Sequence, residues 1–402
     1  MESSLPSEVA ERVLAQIHEA EVVDCLRRLV RVRSVNPPGD VREASAVVES
    51  MLAGEGFTTQ SVGADESRPN LIAELGSGHP VLCFNAHLDV VPPGELASWT
   101  HSPFGADLVD GRVYGRGAGD DKASVTAQVM AGVALARSGI ELAGRLVITA
   151  VADEEMGGRA GTAFVIKGGH VKPDWVIVGE QTLNAIAIGE KGLAGMRLAL
   201  RGKTAHAALP WEGSNAIEGM AEIIASIRRD LWPKLAHRTS PHFLPSSGAI
   251  TKISGGVREN VVPDRCEFYL DRRIIPGEDP AEIRGEVLEI ARAAVAAFEG
   301  LSVEVELDSE YCPASSSDPE SAHVQAMLAA NRYLGLTQEL TGFNMATDGR
   351  YFSRAGFPTI VYGPGDPRLA HVADEWVGVD EVLAATKAYA LTALLLISRK
   401  DE

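Results

Sequence analysis

The first part of the chain alternates between helical and strand-like patterns of apolar residues. Helical spacing runs from Val9 to Val30, and the prolines of SVNPPGD (34–40) end that segment because proline cannot continue a helix. Short apolar runs without polar alternation follow, as is typical of strands buried on both faces, at 70–75, 80–85, 145–152 and 174–179. A helical pattern between them, at 123–139, is closed by Gly139. Strands separated by helices predict an α/β layer with a mostly parallel sheet, flanked by helices.

The middle of the chain has a different order of elements. Strand patterns at 192–202, 246–256, 264–274 and 301–308 combine with helical patterns at 213–230 and 280–298. That order predicts a compact α+β unit. The alternation of the first part then resumes. We therefore expect a main domain of residues 1–190 and 309–402, interrupted by a smaller inserted domain of residues 191–308.

Composition restricts the class of protein. The 402 residues allow two or three domains, and 45% apolar with 23% charged residues is normal for folded chains. With 37 basic against 55 acidic residues, the net charge is −18. A field of this sign repels phosphate backbones and anionic lipid, so we expect neither nucleic acid nor membrane as a partner.

The cysteines and the chain ends indicate the compartment. Cys25, Cys83, Cys266 and Cys312 contain no CxxC pair, so neither a disulfide framework nor a thiolate zinc site is indicated. The acidic start MESSLPSEVAERV is unlike a secretory signal. The apolar segment 388–397 is too short to span a membrane and is interpreted as the end of a buried helix. We expect a cytoplasmic protein.

Polar residues with metal-binding chemistry follow the strand predicted at 80–85. His87 and Asp89 lie two positions apart, and so on one side of an extended segment. Ligands bind at the carboxyl ends of strands in open α/β sheets. A metal-bound imidazole commonly donates its other N–H to a carboxylate, and His-x-Asp supplies that pair. A single His-x-Asp is usually structural or solvated, so this motif indicates a site only together with others.

A glycine-rich segment, VYGRGAGDDKA (113–123), precedes the helix at 123–139. Its glycines allow Asp120 or Asp121 to reach inward from the start of that helix. The alternative for either residue is an N-cap. A phosphate loop is disfavoured, because the segment lacks the GK[ST] ending and places two carboxylates where phosphate oxygens would lie.

Other strand ends repeat this arrangement. The strand at 145–152 leads into Asp153, Glu154 and Glu155, the strand at 174–179 leads into Glu180, and a late apolar run leads to His371. Consecutive carboxylates emerging from a buried strand are costly unless a cation receives them. Two imidazoles with three carboxylates match the nitrogen and oxygen ligands that a pair of zinc-like ions requires.

In residues and order, from SVNPPGD to AHVADEWV, the chain resembles the zinc-dependent family that contains acetylornithine deacetylase, succinyl-diaminopimelate desuccinylase, aminoacylase and carboxypeptidase G. The resemblance implies that Asp120 bridges two divalent metal ions, that His87 and Glu180 complete one site, and that Glu155 and His371 complete the other. Zinc is the expected metal, and cobalt or manganese also accept these ligands.

The same resemblance assigns two helpers to the metal ligands. Glu154 matches the family's general base, which takes a proton from a water activated by the metals and passes it to the leaving nitrogen. Asp89 matches the partner of His87. A further donor for the oxyanion is expected from His206 in GKTAHAALP, a segment similar to the family's lid-domain signature.

The inserted domain is expected to serve as a lid and dimerisation domain. In dimeric family members the histidine equivalent to His206 enters the neighbouring subunit's active site, which implies a homodimer here. Asn260 and Arg273 correspond to residues that hold the substrate's carboxylate, while Arg272 is interpreted as a surface charge. MATDGRYF (345–352) resembles a substrate-contacting loop, which gives Thr347 and Gly349 a predicted place beside the scissile bond.

Some positions depart from the family's pattern. Asp121 and Ala123 stand where a neutral residue and glycine are usual, and Gln181 replaces a customary proline after Glu180. Glu180 itself is similar to the deacylases and desuccinylases more than to the tripeptidases. The remaining histidines match no motif and are interpreted as solvated or packed, namely His18, His79, His101, His170, His237, His242 and His323.

These observations favour a metal-dependent amidohydrolase that cleaves the amide of an N-acylated amino acid or a related small carboxylate. Within the enzymes, the alternative is an exopeptidase of the dipeptidase or carboxypeptidase type. Outside the enzymes, the alternative is a silent homologue that binds metal and ligand, which the presence of Glu154 and every expected ligand disfavours.

Overall fold

A computed structural model of the protein describes residues 7–308 and 311–399, and within that range the chain forms two compact units. The first comprises residues up to 189, 316–343 and those from 347 onward, and the second comprises 190–315 with 344–346. The inserted unit therefore ends beyond the predicted limit at 308. The described residues do not include 1–6, 309–310 and 400–402. The prediction about the N-terminus and the predicted domain boundary after residue 308 fall on these residues.

The elements are numbered in chain order. The strands are β1 (Thr58–Gly63), β2 (Pro69–Gly76), β3 (Val81–His87), β4 (Asp107–Val109), β5 (Arg112–Tyr114), β6 (Arg145–Val151), β7 (Trp175–Gly179), β8 (Ile186–Glu190), β9 (Gly192–Leu193), β10 (Met196–Arg201), β11 (Ala205–His206), β12 (Ser247–Gly255), β13 (Val261–Val262), β14 (Arg265–Ile274), β15 (Ser302–Leu307), β16 (Leu340–Phe343), β17 (Thr359–Tyr362) and β18 (Trp376–Gly378). The helices are α1 (Ser7–Leu14), α2 (Glu19–Arg31), α3 (Arg42–Leu52), α4 (Lys122–Arg137), α5 (Thr162–Lys167), α6 (Ala216–Ser226), α7 (Trp232–Ala236), α8 (Pro280–Ala294), α9 (Ala322–Leu334), α10 (Gly349–Arg354) and α11 (Val379–Ile397), with a π-helical turn between α6 and α7.

In the described chain, the first unit is built on an eight-stranded sheet in the order β1-β2-β6-β3-β7-β17-β8-β16. The central strands β6, β3, β7 and β17 pair in parallel, while β1, β2 and β8 join antiparallel to their inner neighbours. The predicted α/β class with its mostly parallel sheet and flanking helices is confirmed. Because the central strands are parallel, their carboxyl ends meet at one edge of the sheet.

Both faces of this sheet are buried, as the continuous apolar runs predicted. Along β3, Leu82, Phe84 and Ala86 belong to one apolar cluster, while Val81 and Cys83 belong to another. Full burial of one large apolar side chain stabilises the fold by roughly 1.5–3 kcal/mol. The first cluster includes α4, whose residues 122–135 are all buried, and the apolar face of α11.

The second unit is an antiparallel sheet with helices packed against it. Its strand order is β12-β14-β10-β15, and β9 also pairs with β14. Helices α6 and α8 share an apolar cluster with β10 and β14. This arrangement is the α+β unit that the sequence predicts.

Arg272 corrects one sequence interpretation. Burial alternates along β14, and Arg272 falls on the buried face with Leu270 and Ile274, so its side chain is 0% exposed. Its guanidinium pairs with Glu278 at 2.6 Å and donates to the main-chain oxygen of Ser247 at 3.0 Å. The expectation of a surface charge was wrong, because the period of a strand shows which residues share a face but not which face is covered.

Two further observations concern the whole described chain. Its helices include none that combines the length and the apolar character needed to cross a membrane. All four cysteines are buried thiols.

Candidate metal centre

The centre is assembled at the carboxyl edge of the parallel strands in the first unit. β3 ends at His87, β7 ends directly before Glu180, and β6 ends shortly before Glu154 and Glu155. The loop after β17 carries His371. Each strand is held by its neighbours along its length, so the position of the side chain at its end is set by the sheet.

The carboxylate of Asp120 lies between the two predicted histidine ligands. His87 Nε2 is 3.1 Å from Oδ1 of Asp120, and His371 Nε2 is 3.2 Å from Oδ2. Asp120 comes from the glycine-rich loop just before α4, and its peptide bond to Asp121 is cis. Residues that are far apart in the chain thus meet on one carboxylate, with one imidazole on each oxygen.

Glu155 extends this group and makes it suitable for a cation. Its Oε2 lies 3.2 Å from His371 Nε2, while within the described residues its buried Oε1 has no hydrogen-bond partner. One possible ligand atom from each of His87, Asp120 and Glu155 lies within 4.8 Å of the others. Imidazole nitrogen and carboxylate oxygen are the ligands that zinc and similar divalent ions take. The residues therefore fit a divalent metal.

The electrostatics of the group also favour a cation. Burial opposes ionisation of Asp120, but hydrogen bonds with His371 and His87 hold the pKa of this carboxyl below its usual range. Hydrogen bonds to Asp120 and Glu155 raise the pKa of His371 to about 10. Burial raises the pKa of Glu180 well above its ordinary value, and the charges of Asp120 and Asp121 raise it further. Such a surplus of buried carboxylates ionises readily only when positive charge is bound among them.

Glu154 stands beside the predicted ligand Glu155 on the same turn. Burial raises the pKa of Glu154 well above its ordinary value, and the neighbouring charges of Asp348 and Glu155 act in the same direction, against His87. A carboxyl group with a raised pKa is suited to exchange protons near neutral pH. Asp348 was not singled out in the sequence, although it lies between Thr347 and Gly349. It is buried and accepts a hydrogen bond from the Thr162 hydroxyl at 2.7 Å.

Asp89 supports both His87 and the turn that carries Glu154. His87 Nδ1 lies 2.9 Å from the main-chain oxygen of Asp89, and 3.7 Å from its carboxylate Oδ1. The buried carboxylate instead accepts the N–H groups of Glu154 and Glu155, at 3.2 and 3.3 Å, and the side-chain amide of Asn36 at 2.8 Å. Asp89 therefore contacts His87 more closely through its main-chain carbonyl than through its carboxylate, and its role as the partner of a metal-bound His87 stays a prediction.

The other predicted residues of the first unit are Thr347 and Gly349. Both are buried, and the Thr347 hydroxyl accepts the N–H of Gly349 at 2.9 Å where α10 begins. This contact orders the loop locally. A substrate contact by either residue stays a prediction.

The remaining predicted site residues belong to the second unit. His206 pairs with Val261 between β11 and β13, and the N–H of Ala207 donates to the main-chain oxygen of Asn260 at 3.0 Å, so His206 and Asn260 are neighbours. His206 Nδ1 accepts the N–H of Ala208 at 3.1 Å, which leaves Nε2 available to donate. Arg273 is half-exposed on β14, and its guanidinium pairs with Asp271 at 2.9 Å.

Sequence reasoning missed Glu375 altogether. It lies four residues after His371, is buried, and contacts the main chain of the Asp120 loop. Its only sequence signal is the His-x-x-x-Glu spacing in AHVADEWV, which by itself does not distinguish a buried carboxylate from a solvated one.

Known proteins resemble this chain in sequence and in fold. The profile of peptidase family M20/M25/M40 matches residues 83–395. The succinyl-diaminopimelate desuccinylase of Parvibaculum lavamentivorans is 31% identical over 381 residues, which are 91% of this chain and 93% of that protein. The crystal structure of aminopeptidase PepT from Bacillus cereus has a TM-score of 0.76 at 20% sequence identity, and the matched region covers 94% of this chain and 98% of the PepT chain. A dinuclear metal-binding M20 peptidase of Bacillus subtilis has a TM-score of 0.71 at 17% sequence identity, and the matched region covers 94% of this chain and 97% of that peptidase.

The fold and the site together define a metal-dependent hydrolase that acts on amide bonds. More particularly, the match over 83–395 shows that the chain belongs to peptidase family M20/M25/M40. The family and the hydrolase class expected from the motifs are confirmed.

Proposed function

We propose that the protein uses divalent metal to hydrolyse the amide bond of an N-acylated amino acid that carries a free carboxylate. One observation carries this proposal: His87 and His371 contact opposite oxygens of the Asp120 carboxylate, with Glu155 against His371. The curated relatives extend over nearly the whole chain and are named as desuccinylases. An N-succinylated diamino acid is therefore the first substrate to test.

The proposed ligand set contains two imidazoles and three carboxylates. Asp120 would be shared between two divalent ions, His87 and Glu180 would hold one, and Glu155 and His371 would hold the other. Zinc is the proposed metal, with cobalt and manganese as substitutes that the same ligands accept. Bound there, the metal would supply Lewis acidity, which would polarise the amide carbonyl and lower the pKa of a water so that it could lose a proton and act as the nucleophile.

Glu154 is the proposed proton carrier. It adjoins the ligand Glu155, and the N–H groups of both residues are held by the Asp89 carboxylate, so the side chain starts from a fixed turn. Glu154 would accept a proton from the attacking water and deliver it to the leaving nitrogen. Loss of this proton transfer typically lowers the rate by about 10²–10⁴-fold.

Residues of the second unit are proposed to recognise the substrate. Arg273 on β14 offers a fork of N–H donors suited to a carboxylate. His206 of β11 lies next to Asn260, which directly precedes β13. His206 would donate to the oxyanion through Nε2.

A homodimer through the second unit is also proposed. β12 is an edge strand, and the apolar side chains Ile253 and Val257 on and after it are 58% and 81% exposed. Exposed strand edges with apolar residues readily pair with another copy. The cytoplasm stays the proposed location, to which four buried thiols are suited.

The function is tested by supplying the metal-free protein with zinc or cobalt and assaying three substrate groups: N-succinyl-diaminopimelate, N-acetylated amino acids and dipeptides. We expect metal-dependent turnover of an N-acylated amino acid that exceeds turnover of every dipeptide. Faster cleavage of a dipeptide would establish the exopeptidase alternative. Binding of two metal equivalents without turnover of any member would favour the silent homologue. The Glu154→Gln variant, purified in parallel, controls for contaminating activity.

A further inference from the structure

Glu375 joins the loop of Asp120 to the loop of His371. Its carboxylate Oε1 accepts the N–H of Gly119 at 2.9 Å and the N–H of Asp120 at 3.0 Å. Glu375 also follows His371 by four residues, immediately before β18. A single buried side chain therefore links the main chain of one proposed ligand to the segment that carries another.

The other carboxylate oxygen of Glu375 is held just as firmly. Oε2 pairs with the guanidinium of Arg116, and both side chains are almost fully buried. The main chain adds a further tie, because the N–H of Gly115 donates to the oxygen of Glu375 at 2.9 Å and β18 pairs with β5 directly before the glycine-rich loop. Arg116 thus neutralises a carboxylate whose other oxygen accepts the N–H groups of both Gly119 and Asp120.

We propose that Glu375 is a positioning residue that fixes Asp120 relative to His371 and thereby sets the affinity of the metal centre. This inference rests on the proposed function only in taking Asp120 and His371 as metal ligands. A ligand group that is already ordered loses little conformational freedom when the ion binds, and residues that orient ligands typically contribute 10–100-fold to metal affinity or activity.

The test replaces Glu375 by an amide of the same shape. In Glu375→Gln, the amide oxygen can still accept the N–H groups of Gly119 and Asp120. The amide NH₂ group then faces the guanidinium of Arg116, and two hydrogen-bond donors oppose each other. The buried guanidinium also loses its counter-charge. We expect Co²⁺ to bind 10–100-fold more weakly in calorimetric titration, with altered visible absorption of the bound Co²⁺. At saturating metal, we expect an unchanged KM.

A matched control separates this effect from general loss of stability. Glu278→Gln breaks a comparable pair with the buried Arg272 in the second unit, where no proposed metal ligand lies. We expect that variant to bind Co²⁺ as the unchanged protein does. If Glu375→Gln also retains its Co²⁺ affinity within twofold, the positioning role is overturned.

Amide hydrogen exchange provides a test that does not depend on the folding of a variant. In the unchanged, metal-free protein, the N–H groups of Gly119 and Asp120 should be protected, because Glu375 already holds them. Exchange at the rate of an exposed loop would overturn the proposal. Both readouts are independent of turnover. A protein that binds Co²⁺ through Glu375-dependent ligands but hydrolyses no substrate would contradict the proposed function and leave this inference standing.

Discussion

The carboxylate of Asp89 accepts the backbone N–H of Glu154 at 3.2 Å. Asp89 is fully buried just beyond the end of β3, and it receives the N–H of Glu155 in the same way. The strand that presents His87 therefore also determines where the proposed base and its neighbouring ligand lie. This relationship places the proposed ligands and the proposed proton carrier on one support.

Glu154→Gln should abolish turnover and leave metal binding intact. The amide cannot take a proton, whereas the proposed ligands His87, Asp120 and Glu155 are unchanged, so we expect kcat to fall by about 10²–10⁴-fold. Steady-state kinetics with metal analysis of the same samples checks this expectation. Loss of metal from Glu154→Gln, with retention of metal by Glu155→Gln, would show that the two roles are exchanged.

Asp120→Ala should lose metal, while Asp121→Ala should keep it. The carboxylate of Asp120 contacts both histidines and its pKa is held low. By contrast, burial raises the pKa of Asp121 well above its ordinary value and so disfavours its charged form. Mass-spectrometric metal analysis after dialysis measures the difference. The opposite outcome would move the shared ligand by one residue.

Arg273→Ala should raise KM about tenfold or more for substrates with a free carboxylate, and change it little for their carboxamide analogues. Arg265→Ala is the matched control, because this arginine lies on the same strand, is exposed and pairs with a neighbouring acidic residue, Glu267. Equal effects of Arg273→Ala on both kinds of substrate would reject the anchoring role.

Ile253→Asp should convert the proposed dimer to monomers. A charge on the exposed edge strand β12 repels its copy and must be desolvated on pairing. Light scattering coupled to gel filtration reports the molar mass. Leu96→Asp is the control, since Leu96 is an exposed apolar residue of the first unit. A dimeric Ile253→Asp protein, or a monomeric unchanged protein, would place β12 outside any dimer interface.

We expect the buried imidazole of His323 to lower the free energy of unfolding as the pH falls below about 6.5. Its imidazole is fully buried at the start of α9, and in the described chain neither ring nitrogen has a hydrogen-bond partner. Burial lowers the pKa of His323 from 6.5 to about 4, so below pH 6.5 the unfolded chain binds a proton that the folded chain does not.

The free energy of unfolding therefore falls as the pH decreases through this range. Between pH 7 and pH 5 we expect this one group to lower it by about 2 kcal/mol. In His323→Leu that contribution should be absent, as urea titrations of both proteins at each pH would show. A parallel decline in the two proteins would indicate that His323 takes up its proton in the folded protein as readily as in the unfolded chain, so that its pKa is not lowered.

Much of the fold was predictable because it depends on local patterns. The continuous apolar runs at β3, β6 and β7 identified strands buried on both faces, and the polar residues just beyond them were expected to meet at one edge. His87 and Glu155 do lie there, together with Asp120 from the loop before α4 and His371 from the loop after β17. Strand continuity and chain order suffice for this prediction, since parallel neighbours end at the same edge.

What the sequence determined by itself was the kind of residue at each strand end, the α/β and α+β character of the two units, and the family. Tertiary structure alone decided which of two adjacent residues is buried, as with Arg272 and Arg273, and which atom of Asp89 faces His87. It also brought Glu375 against the main chain of Asp120. The physical reason is that periodicity records which side chains share a face, whereas burial and hydrogen-bond partners depend on distant segments that pack against that face.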